Sequence, residues 1–198
     1  MIPYISAPII YPASAPFEIS IAKAPTVPFY SQFKDIQSLS WKKNGCGIAS
    51  MAMLIEFYKP GTVSVDKLLT QAIASGAYKQ DAGWKHRELA LLSKKYGLEG
   101  KNYDLSNSDK NVAFAQFKDF LEDGPVIASV YNKFDPKSTV PHLVVINGIK
   151  GDTVYYNDPA AKTAGKEIST ADFLKGWKKR FIVVRPAKES NKIILTKK

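Results

Sequence analysis

Asn44-Gly45-Cys46-Gly47-Ile48-Ala49-Ser50-Met51-Ala52-Met53-Leu54 combines two glycines, the single cysteine of the chain and a continuous apolar run. Such a run predicts a helix that is buried on all sides and that begins near the cysteine. Unpaired backbone N–H groups and the helix dipole stabilise a thiolate at this position, and the thiolate is the nucleophilic form of cysteine. Gly45 and Gly47 leave the sulfur unshielded, so we expect a substrate to approach it. The stretch favours a cysteine hydrolase over an inert core thiol.

A base for this thiol must come from one of two histidines. His142 is the better candidate, because it begins an apolar, β-branched run that ends at Gly148 and predicts a buried strand. A second strand, Thr153 to Asn157, leads into Asp158, so a hairpin returns this carboxylate toward His142. Thiol, imidazole and carboxylate supply a nucleophile, a base and a group that orients the base. We expect Asp158 to accept a hydrogen bond from the Nδ1 proton of His142.

Four short segments combine these residues with their neighbours. They are Val27-Pro28-Phe29-Tyr30-Ser31-Gln32, Cys46-Gly47, His142-Leu143-Val144-Val145 and Asn157-Asp158-Pro159. Together they resemble the papain-like, bacteriocin-processing cysteine peptidases and their stand-alone relatives, over roughly residues 27–186. The resemblance implies a papain-like α+β domain, in which an N-terminal helix carrying the cysteine packs on an antiparallel β-sheet. It also implies that Cys46 is the nucleophile, His142 the base and Asp158 the group that orients the base.

Two assignments stay open at this point. In the family a glutamine upstream of the cysteine helps to form the oxyanion hole, and Gln32 matches it by its Pro-Phe-Tyr-Ser-Gln setting. Gln32 lies farther from the cysteine than in transporter-borne members, so Gln37 is an alternative. Asp158 is also an ordinary turn opener before Pro159. In that case Asn157 orients the imidazole, as an asparagine does in papain.

Further helices and strands are predicted from periodicity and end signals. Ser64 caps an amphipathic helix that Gly76 ends, and the remaining elements are helices over 85–96, 109–122 and 169–177 and strands over 126–131 and 180–185. Trp84 and His86, at the start of the helix over 85–96, are interpreted as cleft-wall or packing residues. The elements interleave as in one α+β domain, and 198 residues with 45% hydrophobic content suffice for one core.

The domain is expected to span residues 27–186, between a Pro-rich extended arm over 1–26 and a basic tail over 187–198. The net charge is +10, and the region from Lys175 onward contains nine Lys or Arg residues and one acidic residue, Glu189. A basic flank of this kind is a possible contact for an anionic cell surface, although it is usually only solvated. Neither an apolar stretch of membrane-spanning length nor a signal peptide is visible, and no transport domain is present, so we expect a free-standing domain.

The composition also bears on partners and cofactors. We find no nucleic-acid motif, no phosphate loop and too few Cys and His residues for a structural zinc site, so neither a cofactor nor a metal is expected. The resemblance implies a bacterial protein that acts on a peptide or protein substrate outside the cell or at its surface. Two functions remain at this stage. One is a cysteine peptidase or amidase that works through an acyl-enzyme, and the other is a non-catalytic peptide- or cell-wall-binding module on the same fold.

Overall fold

The structure, a computed structural model, describes residues 26–187. The predicted arm and the predicted basic tail lie outside the described residues except at their innermost positions, Thr26 and Ala187. Among the helices of the described part, none is both long and apolar enough to span a bilayer.

Five α-helices and eight β-strands make up residues 26–187. The helices are α1 (Cys46–Tyr58), α2 (Val65–Ala74), α3 (His86–Leu91), α4 (Lys110–Glu122) and α5 (Thr170–Gly176). The strands are β1 (Tyr78–Lys79), β2 (Gly83–Trp84), β3 (Leu98–Asp104), β4 (Val126–Tyr131), β5 (Pro141–Lys150), β6 (Thr153–Asn157), β7 (Lys166–Ser169) and β8 (Trp177–Pro186). Short 3₁₀ turns occupy Lys42–Asn44, Leu92–Tyr96 and Asn132–Phe134.

The main sheet has six strands in the order β3-β8-β4-β5-β6-β7, and every neighbouring pair is antiparallel. The strands β1 and β2 form a separate two-stranded hairpin. The central strands β4, β5 and β8 carry nearly continuous apolar runs because both faces of the sheet are covered.

Each face of the sheet packs against its own helices. Helices α1, α2 and α3 share one core cluster with the inward residues of the strands, among them Ile127, Val145 and Ile182. Helices α4 and α5 pack on the opposite face against the alternate residues, among them Ala128, Val144 and Phe181. We expected one helix against the sheet, and the structure adds a second helical layer, so the sheet is buried from both sides.

Helix α1 is the central helix of the first layer. All residues from Cys46 to Ile55 are buried, as the unbroken apolar run predicts. The Oγ of Ser50 on α1 donates a hydrogen bond of 3.4 Å to the carbonyl of Leu143. This bond ties α1 to the start of β5. Helix α1 is therefore held against the strand that carries His142.

The third helix differs from its prediction. It is α-helical only from His86 to Leu91 and continues as a 3₁₀ turn to Tyr96, where Gly97 ends it at a φ of 69°. The hydroxyl of Ser93 donates to the carbonyl of Ala90 at 2.8 Å, which competes with the regular backbone ladder. Helical spacing of apolar residues does not reveal this local competition.

Candidate active site

An open cleft of about 1310 Å³ lies beside the N-terminal end of α1. Its lining includes three of the residues predicted for the site, Gln32, Cys46 and His142. Gln37 is not part of the lining. The cleft is therefore the space in which a substrate of Cys46 would lie.

Cys46 is the first residue of α1, and its residual exposure of 8% is toward this cleft. Gly45 is the helix N-cap, and it has no side chain with which to cap the free N–H groups of the first turn. These groups and the positive end of the helix dipole lie at the position of Cys46. The helix start thus offers backbone donors to an oxyanion formed beside the sulfur.

The two glycines beside Cys46 have a different role from the one we expected. A Cβ at Gly47 would lie 2.6 Å from Cδ1 of Trp84, and a Cβ at Gly45 would collide with the side chain of Ile36. Both positions are glycine because the chain is packed closely against its neighbours there. The expectation that they open the backbone to substrate is replaced by this packing requirement.

His142 and Asp158 form a direct pair. Nε2 of His142 lies 2.7 Å from Oδ1 of Asp158, and the His142 side chain is 7% exposed. The pairing of Val145 with Asn157 brings the end of β6 alongside the start of β5 and so carries Asp158 to the histidine. The same Oδ1 accepts a hydrogen bond of 2.8 Å from the backbone N–H of Ala160, which holds the carboxylate in place.

The nitrogen in this pair is not the one we predicted. Asp158 contacts Nε2 rather than Nδ1, so Nδ1 is the ring nitrogen left for Cys46. The side chain of Asn157 points elsewhere. Its Nδ2 donates to the carbonyls of Val27 and Pro28, and its Oδ1 accepts from the N–H of Gly165. The alternative in which Asn157 orients the imidazole is therefore wrong, although Asp158 does anchor its own turn as well.

The electrostatics of the pair favour two charged partners. Burial lowers the pKa of His142, but the hydrogen bond to Asp158 and the neighbouring Cys46 outweigh it and raise that pKa to about 10. Burial raises the pKa of Asp158, yet the hydrogen bond and charge of His142 and the N–H of Ala160 lower it overall. An imidazolium held by a carboxylate on one side can stabilise a thiolate on the other.

Gln32 is buried next to this centre. Its backbone N–H donates to the carbonyl of Pro159 at 2.9 Å, and its Nε2 donates to the carbonyls of Lys42 and Lys43 in the turn before Cys46. The alternative candidate Gln37 is exposed, and its N–H bonds to Asp66 on α2. The structure thus places Gln32, and not Gln37, at the site.

Trp84 has a role that the sequence did not reveal. Its indole Nε1 donates to the carbonyl of Asn44 at 2.6 Å, and its ring packs over Gly47. With Trp41 and Tyr78 it forms an aromatic group in the cleft wall. The interpretation of Trp84 as a wall residue is compatible with these contacts, which also show that it braces the turn that leads into Cys46.

His86 lines the cleft at the start of α3, half-buried. Burial first, and then the charge of Arg180, lower its pKa. Within residues 26–187, no three His, Cys, Asp or Glu side chains are grouped so as to hold a metal ion.

The architecture is found in several solved peptidase domains. One is a double-glycine-motif protease from an AMS/PCAT transporter, crystallised with its leader peptide, at 24% identity and a TM-score of 0.56 over 82% of this chain and 94% of that chain. Another is a Bacillus anthracis protein described as a C39-like peptidase, at 18% identity and a TM-score of 0.61 over 83% and 96% of the two chains. A third is the peptidase domain of Streptococcus ComA, a bi-functional ABC transporter of a quorum-sensing pathway, at 19% identity and a TM-score of 0.59 over 82% and 100%.

These likenesses show that the chain has the fold of C39-type peptidase domains, and they confirm the α+β fold expected from the sequence. The model of the peptidase C39-like family matches residues 25–183, so the chain belongs to this family. The resemblance seen in the sequence is thereby confirmed, and family membership supports a cysteine peptidase role. No curated protein matches the chain significantly.

Proposed function

We propose that the protein hydrolyses a peptide or amide bond through Cys46, His142 and Asp158 with an acyl-enzyme intermediate. The observation that carries the proposal is the 2.7 Å bond from His142 Nε2 to Asp158, which leaves Nδ1 of the same buried ring for a thiol at a helix start. Membership of the peptidase C39-like family supports the same reaction class.

In the first half of the reaction the Cys46 thiolate attacks the carbonyl carbon of the substrate, and a carbon–sulfur bond forms. The oxyanion receives hydrogen bonds from the Cys46 N–H and from Nε2 of Gln32. For this, one N–H of Gln32 leaves the carbonyl of Lys43, 3.3 Å away, and the other stays on the carbonyl of Lys42. His142 then gives its Nδ1 proton to the leaving amine, and the carbon–nitrogen bond breaks. Asp158 stabilises the imidazolium throughout this step.

In the second half, water releases the acyl group. His142, now neutral at Nδ1, takes a proton from the water as the water attacks the thioester carbon. The carbon–sulfur bond breaks, and the carboxylic acid leaves with the other hydrogen of the water. Cys46 is left as a thiolate beside His142, which keeps the proton taken from the water.

A peptide is the substrate that we propose for the cleft. The transporter protease with the same fold was crystallised with a leader peptide in place, which supports a peptide occupant here. An extended segment fits a cleft that is open to the surface and about 1310 Å³ in volume. We also propose that the protein acts outside the cell or at its surface, by analogy with the family.

Selective labelling of the thiol tests this function. With one cysteine in the chain, iodoacetamide has a single thiol target. We expect Cys46 to be alkylated at least about tenfold faster than glutathione at mildly acidic pH, because the neighbouring His142 imidazolium assists loss of the thiol proton. The same treatment should stop cleavage of a randomised peptide pool, followed by mass spectrometry. An alkylation profile like that of glutathione, or a pool left uncut by the untreated protein, would favour the non-catalytic binding module.

A separate prediction concerns the oxyanion donor. Gln32→Ala should lower the rate of pool cleavage by about a hundredfold to a thousandfold, whereas Gln37→Ala should leave it unchanged. Because Gln32 also holds the turn at Lys42 and Lys43, thermal unfolding of each variant must be measured alongside. Loss of activity in proportion to loss of folded protein would show that Gln32 only supports the turn. Loss in Gln37→Ala would contradict the assignment.

A further inference from the structure

Strand β8 is irregular at the place where it borders the cleft. Ser129 of β4 pairs with Arg180, but the next residue, Val130, pairs with Trp177, so β8 carries extra residues at this point. One of them, Lys179, has a φ of 55°, in the left-handed region where a residue other than glycine is strained. A bulge of this kind redirects side chains and is common beside active sites.

The bulge separates two neighbouring lysines. Lys179 does not line the cleft, and its Nζ donates to the carbonyl of Ser108 at 2.6 Å. Lys178 does line the cleft, where its Nζ lies 4.6 Å from the ring centroid of Tyr131. The aromatic face holds the ammonium group in position without neutralising its charge. The irregular backbone therefore places Lys178 where the cleft meets a smaller hollow that Tyr131 also lines.

Lys178 lacks a carboxylate partner among residues 26–187, whereas its neighbour Arg180 is paired. Nε of Arg180 lies 2.9 Å from Oδ2 of Asp104. Burial, and then the charge of Arg180, lower the pKa of Lys178, which is the response of a cation that lacks a counter-ion. Because Asp104 pairs with Arg180 alone, the positive charge of Lys178 is in excess at this spot within residues 26–187.

The cleft as a whole also carries an excess of positive charge. Its lining contains more basic than acidic side chains, and these are Lys43, Lys85, Arg87, Lys133, Lys178 and Arg180 against Asp81, Glu88 and Asp104. A smaller hollow of about 360 Å³ adjoins it and shares Lys178 and Arg180 with the cleft. A bound anion would therefore meet the unpaired charge of Lys178 in a space large enough for a side chain.

The sheet order sets the distance from this spot to the reacting bond. Strand β8 is two strands from β5, which carries His142, and lies on the side away from β6 and Asp158. Adjacent strands are about 4.8 Å apart, so the separation is roughly 10 Å. An extended peptide advances about 3.3 Å per residue, so this separation corresponds to about three residues.

The geometry points to Lys178, together with Arg180, as a subsite that selects peptide substrates with an acidic side chain about three residues from the scissile bond. This inference rests on the proposed function, because the occupant of the cleft is taken to be the substrate of Cys46. It also gives a place in the fold to part of the basic C-terminal region, for which the sequence suggested an anionic contact.

Binding to an inactive full-length variant tests the subsite without requiring turnover. The Cys46→Ala protein is mixed with a randomised decapeptide pool, and the retained peptides are sequenced by mass spectrometry. We expect Asp and Glu to be enriched over Asn and Gln at one position. A synthetic peptide with Glu at that position should bind about tenfold more tightly than its Gln counterpart, and added salt should reduce the difference.

Three further substitutions in the Cys46→Ala protein identify the residue responsible. Lys178→Met keeps the side-chain stem over Tyr131 and should bring the Glu-to-Gln ratio close to one. Lys67→Met, on the exposed surface of α2 away from the cleft, makes the same change in net charge and should leave the ratio unchanged. Asp104→Asn removes the partner of Arg180 and should raise the ratio of affinities for the Glu and Gln peptides. This change is opposite in direction to that expected for Lys178→Met.

Retention of no peptide, retention without acidic preference, or a preference that survives Lys178→Met would each overturn the subsite. The proposed function is tested separately, by measuring peptide cleavage by the protein with Cys46 intact. Acid-selective binding without any cleavage would overturn the hydrolase and leave the subsite standing. Cleavage without a preference for acidic peptides would support the hydrolase and overturn the subsite.

Discussion

Replacing His142 by alanine is expected to lower peptide-pool cleavage by on the order of 10⁴-fold or more. In the proposed reaction the side chain serves twice, since it stabilises the Cys46 thiolate and carries the proton to the leaving amine. The other histidine of the chain, His86, lies in the cleft wall at the start of α3. Burial lowers its pKa, so His86 does not replace His142 as the proton donor. Cleavage rates and the pH dependence of alkylation measure the two roles separately.

His86→Ala is the matched control, because it removes the other histidine of the chain from the same cleft. It should retain cleavage within about tenfold of the wild type, and alkylation of Cys46 at acidic pH should stay fast. In His142→Ala, alkylation should become slow at acidic pH and recover only as the solution approaches the range where an ordinary thiol ionises. Equal losses in the two variants would contradict the assignment of His142 as the base.

Replacement of Asp158 by alanine should lower cleavage by on the order of 10³- to 10⁴-fold while the protein stays folded. The carboxylate holds Nε2 of His142 at 2.7 Å and so directs Nδ1 toward Cys46. Asp158→Asn keeps the shape but removes the charge, and its loss should be smaller. Asn157→Ala would instead release the segment at Val27 and Pro28, and any loss should follow the loss of folded protein.

The pH dependence of these variants has a definite sign. Asp158 and Cys46 raise the pKa of His142 to about 10, so the wild-type protein keeps its imidazolium well above neutral pH. The proton donor is lost as the pH rises through that value, which sets the alkaline limb of kcat/KM. In Asp158→Asn the carboxylate no longer stabilises the imidazolium, and the alkaline limb should move to lower pH. A limb that does not move would show that Asp158 is not coupled to His142.

Local pattern was sufficient for most of the helices and strands. The apolar run after Cys46 became α1, Ser64 caps α2 by accepting from the N–H of Lys67, and the strands over 126–131 and 153–157 were found at the predicted residues. The short strands β1 and β2 were missed, and so were two strands of the main sheet, β3 and β7. These two lie at the edges of the sheet, where a strand pairs with only one neighbouring strand. The alternation of apolar and polar residues is weak in both, so the sequence pattern does not indicate a strand.

The sequence by itself supplied the candidates for the nucleophile, the base and the carboxylate, and it determined the family to which the chain belongs. These depend on residue type and on position relative to a single helix or strand, which short-range pattern records. With one cysteine and two histidines there were few combinations to weigh.

Only the tertiary structure decided how these residues meet. The choice of Asp158 over Asn157, of Nε2 over Nδ1, and of Gln32 over Gln37 depends on which side chains face each other across β5, β6 and the turn before Cys46. The packing of Trp84 on Gly47 and the bulge that places Lys178 in the cleft also join segments far apart in the chain. Such contacts are set by sheet register and by close packing, and neither is encoded in the periodicity of any one segment.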